Sequence, residues 1–364
     1  MRVDYRSRWQ QKRRVRASRT RLILIGIVAA LVIVIVLASL HGASRSVEAG
    51  YSFLRPVIVW MQATEDGVLL SARSGSLVKL TPELTEVEAG WGHPFTHPAG
   101  FWGRPAVAGN RVLIGCGDVR LRAVDVATGL QTWEVRVEGS VPAVSACGEY
   151  GYFPTSTGDV YAVTSEGEVI WGTRLGDEIA SAPLIREETV IISTLKGEVA
   201  CLDRGTGEIL WQAEVEAPVY ASPRRGPSHI LVGDDAGRLH SITRDGELRT
   251  SLQLEGLIRH PVGVHEAIVI AGDSSGLIVR VNPSEMSEIW RTRLQGPLSA
   301  EPVVTGDTVW CGVGRRLVEL CVESGDLLNT RVAEAHTSDL LVAHGRIYWA
   351  TADGRIRAVA LDRH

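Results

Sequence analysis

Cysteine is scarce in this sequence, and its scarcity argues against two classes of protein. Only five cysteines occur in 364 residues, and no two of them form a C-x-x-C pair. An odd number leaves at least one thiol unpaired in a monomer, so neither a disulfide framework nor a structural zinc site is supported. The five are Cys116, Cys147, Cys201, Cys311 and Cys321.

Short motifs that carry common chemistry are also lacking. The sequence contains no nucleophile elbow, no phosphate-binding loop and no paired-carboxylate motif. His93 and His97 are four residues apart, but Pro94 stands between them and no further metal ligands follow. We therefore predict no catalytic residue, no metal site and no cofactor. Four aspartates beside glycine are typical of turns: Asp234, Asp235, Asp273 and Asp353.

Long apolar runs are absent after residue 40, and the one run before it is distinctive. Residues 22–40 read LILIGIVAALVIVIVLASL, which is nineteen residues without a charge. As a helix rising about 1.5 Å per residue, this segment is roughly 28 Å long, close to the ~30 Å hydrocarbon core of a bilayer. We predict that it forms a single transmembrane signal-anchor helix.

Charge is distributed unevenly on the two sides of this run. Residues 1–21 hold nine basic side chains and one acidic one, whereas the whole chain has a net charge of −4. By the positive-inside rule, the basic tail stays in the cytoplasm and the rest lies across the inner membrane, in the periplasm or outside the cell. The alternative is a cleaved signal peptide, with Val36-Leu37-Ala38 as a tolerable cleavage site. The acidic remainder argues against nucleic acid as a partner.

A repeat fills the chain from residue 75 to its end. Each copy is marked by a turn residue, here called the anchor, just before a short strand. Successive anchors are 44, 39, 39, 40, 39, 39 and 39 residues apart, which is typical of an array of one supersecondary unit. The anchors are Gly75, Val119, Gly158, Gly197, Gly237, Gly276, Arg315 and Gly354.

Each repeat contains the strands of one propeller blade. A proline such as Pro183 leads the first strand, a second apolar strand such as residues 189–194 follows, the anchor begins a third, and a fourth usually carries tryptophan. We predict an all-β fold, an eight-bladed β-propeller of four-stranded antiparallel blades, with one N-terminal transmembrane helix. Four tryptophans are expected to pack between neighbouring blades: Trp133, Trp171, Trp211 and Trp290.

The last repeat ends after its third strand, so its fourth strand has to come from elsewhere. We predict that residues 44–53 supply it, because closing the ring leaves no long sheet edge exposed. The predicted domains are a basic cytoplasmic tail over residues 1–21, a transmembrane helix over 22–40, a linker with the ring-closing strand over 41–52, and the propeller over 53–364.

The third and fourth strands of one repeat carry a complete A-x-D-x-x-T-G-x-x-x-W pattern. This pattern resembles the tryptophan-docking motif of the pyrroloquinoline-quinone-like (PQQ-like) repeat family, and the resemblance covers residues 50–364. A second repeat keeps most of the pattern between Asp203 and Trp211. The residues of the complete copy are Ala123, Asp125, Thr128, Gly129 and Trp133.

Two branches of that family differ in what they imply. The BamB-like outer-membrane-protein assembly factors are eight-bladed scaffolds without a cofactor, and the length and blade number are similar to theirs. The quinoprotein dehydrogenases bind quinone and calcium, and carry an adjacent cysteine pair that this sequence lacks. The resemblance therefore implies a scaffold without a cofactor. The chain departs from the assembly factors in its anchor. They are held in the outer membrane by a lipid on their first cysteine, whereas here the predicted spanning helix would hold the propeller at the inner membrane.

The longest interval between anchors contains an aromatic segment, GWGHPFTHPAGFWGRP, over residues 90–105. Such connections lie on a rim face of a propeller, where functional residues are often carried. We take the segment as the candidate partner-binding loop; the alternative is that its rings fold over and cap the propeller core. Its candidate residues are Trp91, His93, Phe95, His97, Phe101 and Trp102.

These features predict a membrane-anchored, non-enzymatic protein-interaction scaffold in a cell-envelope complex of the outer-membrane assembly or export type. The expected partners are cell-envelope proteins, bound by the candidate loop, and the lipid bilayer, reached by the N-terminal helix. Two alternatives stay open because a repeat scaffold does not name its ligand. One is a PQQ-dependent dehydrogenase, and the other is a receptor for polysaccharide or peptidoglycan that stacks sugar rings on the loop aromatics.

Overall fold

Short antiparallel β-strands make up almost all regular structure in the described part of the chain. The computed structural model describes residues 49–53, 57–85, 87 and 89–361. The basic tail, the predicted helix over residues 22–40 and Pro56 lie outside them. No helix within the described residues is long and apolar enough to span a bilayer.

The strands form eight sheets of four antiparallel strands each, and this confirms the predicted eight-bladed, all-β propeller. The strands of blades 1 to 4, after β1 (Ala49–Ser52), are β2 (Val59–Ala63), β3 (Val68–Ala72), β4 (Ser76–Leu80) and β5 (Phe95–Thr96); β6 (Ala106–Ala108), β7 (Arg111–Cys116), β8 (Arg120–Asp125) and β9 (Gln131–Arg136); β10 (Ser145–Cys147), β11 (Tyr150–Pro154), β12 (Asp159–Thr164) and β13 (Val169–Arg174); β14 (Leu184–Arg186), β15 (Thr189–Ser193), β16 (Glu198–Asp203) and β17 (Ile209–Glu214).

In blade 1, a short 3-10 turn (Ala89–Trp91) precedes β5. The second half of the ring has the same arrangement of strands as the first. The strands of blades 5 to 8 are β18 (Arg224–Arg225), β19 (Ile230–Gly233), β20 (Arg238–Ile242) and β21 (Leu248–Gln253); β22 (Gly263–His265), β23 (Ile268–Gly272), β24 (Leu277–Asn282) and β25 (Ser287–Arg293); β26 (Val303–Thr305), β27 (Thr308–Val313), β28 (Arg316–Cys321) and β29 (Leu327–Val332); β30 (Thr337–Ala343), β31 (Arg346–Thr351) and β32 (Arg355–Ala360).

The two ends of the described chain meet in blade 8. Strand β1 pairs antiparallel with β32, in a register that places Ala49 opposite Ala358 and Ser52 opposite Arg355. The pairing continues for one more residue, since Phe53 N–H donates to the Gly354 carbonyl at 2.9 Å. The order of blade 8 is therefore β1-β32-β31-β30, with the N-terminal strand outermost.

We call the strands of each blade A to D from the centre outward, and the two ends of the ring are named after their connections. The D–A face carries the D–A connections and the B–C turns, and all eight anchors lie in those turns. The opposite A–B face carries the A–B and C–D turns. Because every blade has the same strand order, corresponding residues of different blades lie on the same face.

The hydrophobic core lies between the blades. One cluster joins Leu69 and Leu77 of blade 1 to Val112 and Ile114 of blade 2, and another joins blade 8 to blade 1. Strands B and C are covered on both faces, so their residues are buried at nearly every position rather than at alternate ones. Even Arg122, at a polar position of β8, is buried, because each blade is stacked face to face between two others.

Candidate functional site

The four predicted docking tryptophans occupy equivalent places between blades. In each case the indole Nε1 donates a hydrogen bond of 2.7–2.9 Å to a backbone carbonyl in the C–D turn of the next blade. Trp171 donates to Arg204, and its ring lies on Gly207, where a Cβ would come within 2.6 Å of the indole. Gly207 also has a φ of +75°, which a side chain would strain.

Trp91, assigned above to the candidate loop, has the same geometry as the docking tryptophans. Its side chain is only 2% exposed, its Nε1 donates to the Val126 carbonyl at 2.9 Å, and its ring lies against Gly129 in the C–D turn of blade 2. A partner has no access to this indole in the folded ring. The spacing of the tryptophans indicates this role. Trp91 precedes Trp133 by 42 residues, which is close to the intervals of 38 residues from Trp133 to Trp171 and 40 residues from Trp171 to Trp211.

The two phenylalanines of the candidate loop also belong to the core between blades 1 and 2. Phe101 is fully buried, and its ring stacks on Phe95 with a centroid distance of 6.0 Å. Both pack with Leu69 and Ile114. These contacts place the two rings in the core between the blades, and of the six candidate residues only His93 and Trp102 are exposed.

His97 and His93 differ in exposure, since His97 is half-buried and His93 is exposed. The Ala99 N–H donates to His97 Nδ1 at 3.3 Å, and His97 Nε2 lies 3.9 Å from Asp118 Oδ2. Hydrogen bonds from Arg122 hold the pKa of the Asp118 carboxyl well below its usual range. No group of three or more His, Cys, Asp or Glu side chains within the described ranges could hold a metal ion.

Trp102 is the exposed aromatic side chain of the loop, and it lies at the centre of the D–A face. Its side chain is 39% exposed, and the guanidinium carbon of Arg73 lies 4.5 Å from the ring centroid. The ring lines a cavity of about 550 Å³ that is bordered by residues at or just before the A strands of all eight blades. This cavity is the central channel of the propeller.

Two ion pairs cross this channel, and neither of them was predicted from the sequence. Arg104 Nη2 of blade 2 lies 2.6 Å from Asp339 Oδ1 of blade 8, and Arg224 of blade 5 pairs with Glu301 of blade 7. The other oxygen of Asp339 accepts the Met61 N–H at 2.7 Å. Burial raises the pKa of the Asp339 carboxyl, although Arg104 acts in the opposite direction. The paired residues are 235 and 77 positions apart, so no local pattern could reveal them.

The channel wall differs from one side to the other. Blades 3 and 4 contribute small side chains, including Ala143, Ala180 and Ala182, whereas blades 2, 5, 7 and 8 contribute the ion pairs. His260 of blade 6 also lines the channel, and burial lowers the pKa of its imidazole. Two further aromatic rings, Trp60 and Tyr220, complete the lining.

Two of the four aspartates predicted to act in turns, Asp234 and Asp273, order B–C turns through their carboxylates, whereas the carboxylate of Asp235 pairs with Arg259. Asp234 Oδ1 accepts the N–H groups of Ala236 and Arg238 at 2.9 and 2.8 Å. Asp273 Oδ1 accepts the N–H of Ser275 at 2.8 Å and that of Leu277 at 3.1 Å. These carboxylates are thus used to order the turns that surround the channel mouth.

Comparison with known proteins gives a family and a fold. The profile of a family described as outer membrane protein assembly factor BamB matches residues 139–259, 235–328 and 274–364. These segments together span residues 139–364, more than half of the chain. BamB from Moraxella catarrhalis, a solved structure, has the same fold with a TM-score of 0.75 and 19% identity, covering 86% of this chain and 97% of that one.

Two curated relatives carry different names. A Yersinia pestis protein named outer membrane protein assembly factor BamB is 24% identical over 296 residues, which cover 76% of this chain and 67% of that protein. A Drosophila melanogaster protein named beta-alanine-activating enzyme is 25% identical over 264 residues, which cover 63% of this chain and 25% of that protein. On the strength of the profile match, the chain belongs to the PQQ-like repeat family described as outer membrane protein assembly factor BamB.

Proposed function

We propose that the protein is a membrane-anchored, non-enzymatic scaffold that binds other proteins in a cell-envelope complex of the outer-membrane assembly or export type. The family match over residues 139–364 carries this proposal, because the family is described as an assembly factor. The relative from Yersinia pestis bears the same name. A closed ring of eight blades is a rigid support, and its loops can present side chains to a partner without rearranging the core.

The partner surface is centred on Trp102 at the D–A face. Of the six candidate loop residues, Trp102 and His93 have exposed side chains, but His93 precedes β5 in the C–D connection on the opposite face. Trp102 is therefore the exposed aromatic residue of this surface, and the guanidinium of Arg73 lies 4.5 Å from its ring centroid. Tryptophan and arginine are enriched at the energetic centres of protein interfaces. The buried rings of Trp91 and Phe101, with the half-buried ring of Phe95, would support the loop from below.

Affinity purification followed by mass spectrometry tests this role. The full chain, extracted from its native membrane at low salt, should reproducibly retain an outer-membrane assembly or export protein. Replacing Trp102 with Ala should weaken that retention about tenfold or more, as expected for a central anchor. The control is Tyr150→Ala, since Tyr150 is 45% exposed in blade 3, beside the A–B turn on the opposite face. If no such protein is retained, or if the two variants behave alike, the proposed surface is wrong.

The location we propose is the inner membrane, with a single span over residues 22–40 and the propeller outside the cytoplasm. The uncharged run and the basic tail before it support this arrangement. In spheroplasts, added protease should digest the propeller and leave an epitope at the N-terminus intact. Release of the propeller by osmotic shock would instead indicate a cleaved signal peptide.

A dehydrogenase is the enzymatic alternative, and one observation favours an enzymatic context: a relative is named as an enzyme. The aligned part is a quarter of that protein, so the name does not describe the repeat region alone. Incubation with PQQ and calcium separates the two proposals. A scaffold should show neither bound-quinone absorbance nor dye-linked alcohol oxidation, and either result would contradict the scaffold role.

A further inference from the structure

The central channel has the dimensions and the walls of a ligand site. Its volume of about 550 Å³ lies within the range of roughly 300–1,000 Å³ that is usual for small-molecule pockets. Most residues that line it are only half-buried although protein surrounds them, so the channel is open to solvent. The small side chains Ala143, Ala180 and Ala182 leave the free space on the side of blades 3 and 4.

Two aromatic rings at the channel, those of Trp102 and Tyr220, are each held in place by an arginine. Arg73 lies over Trp102 and Arg259 lies over Tyr220, at 4.5 and 4.9 Å from the ring centroids. Arg259 is in turn held by Asp235 through two hydrogen bonds from separate nitrogens. The rings of Trp102 and Tyr220 nevertheless stay 39% and 40% exposed. A fixed, exposed aromatic face suits a flat ligand with an apolar side.

The charges in the channel cancel. Arg104 and Arg224 are each paired with a carboxylate, and the lowered pKa of His260 leaves that imidazole neutral at pH 7. The side chains that border the cavity therefore carry no net charge, and the guanidinium of Arg73 lies over Trp102 at its mouth. The wall does offer the partly exposed guanidinium donors of Arg104 and Arg224 and the carboxylate of Glu301. Hydrogen bonds to such charged groups are roughly twice as strong as those between neutral groups.

From the volume, the fixed aromatic faces and the balanced ion pairs, we propose that the central channel binds an uncharged oligosaccharide. The C–H face of a sugar ring would pack on Tyr220 and Trp102, and the hydroxyl groups would contact the two ion pairs. The site is independent of the proposed scaffold role, because it needs only the closed ring and its inner residues.

Calorimetric titration of the full chain in phospholipid nanodiscs tests the proposal, since glycoside detergents would compete. The probes are chitotriose, maltotriose and cellotriose, with trialanine and citrate as ligands of other chemistry. At least one trisaccharide should bind saturably with millimolar affinity or better, and citrate and trialanine should not. Failure of all three trisaccharides, or equal binding of trialanine, would overturn the proposal.

Two kinds of variant locate the binding in the channel. Ala180→Phe should fill the free side and abolish binding, and Tyr220→Ala should weaken it about tenfold, the upper end of an aromatic contact. Ala267→Phe, in the exposed A–B turn of blade 6, is the matched control and should change nothing. If Ala180→Phe does not fold, Ala143→Phe takes its place in the same wall. Binding that survives in a folded channel-filling variant would show that the sugar lies elsewhere.

Discussion

At the scale of single residues, the tryptophans between blades combine an apolar contact with a hydrogen bond. Trp171 is the most buried of the four predicted ones, with 8% exposure, and it donates to the Arg204 carbonyl. Trp171→Ala should lower the free energy of unfolding by about 3–5 kcal/mol, because it leaves a cavity between blades 3 and 4. Trp171→Phe should cost less, since it keeps the ring contact but loses the N–H donor.

Denaturant titration of purified variants measures both effects. The control is Ile170→Thr next to it, whose side chain is 43% exposed at the bulge of the C–D pair. It should change the free energy of unfolding by no more than about 0.5 kcal/mol. Equal losses for Ala and Phe at Trp171 would mean that the ring itself contributes little.

One anchor carries backbone strain that the others avoid. Val119 has a φ of +58° in the B–C turn of blade 2, where most other blades have glycine. A β-branched residue is costly in this region, by about 1–2 kcal/mol, whereas glycine loses about 0.5–1 kcal/mol through its greater freedom in the unfolded chain. Val119→Gly should therefore raise the free energy of unfolding by about 0.5–1 kcal/mol.

The reverse substitution provides the comparison for Val119. Gly158 lies at the same anchor of blade 3 with a φ of +85°, and a Cβ there would approach the backbone of Asp177 to 2.5 Å. Gly158→Val should destabilise the protein, and thermal melts of the Val119→Gly and Gly158→Val variants measure the two changes. A loss of stability in Val119→Gly would show that the half-buried valine side chain outweighs its backbone strain.

At the scale of elements, a blade carries the docking tryptophan where the next blade has a C–D turn on which the indole can pack. Asn329 takes the tryptophan position of blade 7, opposite Glu319. Blade 8 has no C–D turn, because its D strand is β1 from the other end of the chain, so an indole there would have no turn to pack on. Thr250 takes the position in blade 5, and the next C–D turn has Met286 at positive φ in place of glycine.

Strand β1 is the element on which ring closure depends. It covers the edge of β32, and Tyr51 and Phe53 add their rings to the core between blades 8 and 1. A chain that begins at residue 57 should melt several degrees below one that begins at residue 45, because it loses these contacts and exposes a sheet edge. Both proteins lack residues 1–44, so differential scanning calorimetry compares only the loss of residues 45–56, which include β1. Identical melting temperatures would mean that the ring is closed by packing without β1.

The sequence predicted the elements better than the site, and the reason is physical. A period of 39 or 40 residues separates the anchors from blade 2 to blade 8, and the tryptophan of the Trp133 motif recurs in several blades, so blade number and strand order follow from local patterns. Blade 1 breaks that pattern, because the 3-10 turn at Ala89–Trp91 leads into a D strand of only two residues. This irregular segment hid the docking role of Trp91. The channel residues come from A strands far apart in the sequence, and only closure of the ring brings Arg104 beside Asp339.

At the scale of the whole molecule, the ion pair between Arg104 and Asp339 links blade 2 to blade 8 across blade 1. Asp339 is buried, with 5% exposure, so either partner left alone is a charge without compensation. Arg104→Met and Asp339→Asn should each destabilise the ring, by up to about 3–5 kcal/mol. The double variant should lose less than the sum, because it leaves neither charge unpaired, and Asn can still accept the Met61 N–H.

A double-mutant cycle measured by denaturant titration gives the coupling between the two blades. We expect about 1–3 kcal/mol for Arg104 with Asp339, as for other residues that share one network. The control cycle uses Arg259 and Asp235, which form a more exposed pair on the same face, and should give less than about 1 kcal/mol. Because the first pair spans three blades, its coupling reports on closure of the ring and not on one sheet. Additive losses at Arg104 and Asp339 would mean that the channel charges are solvated independently and do not hold the blades together.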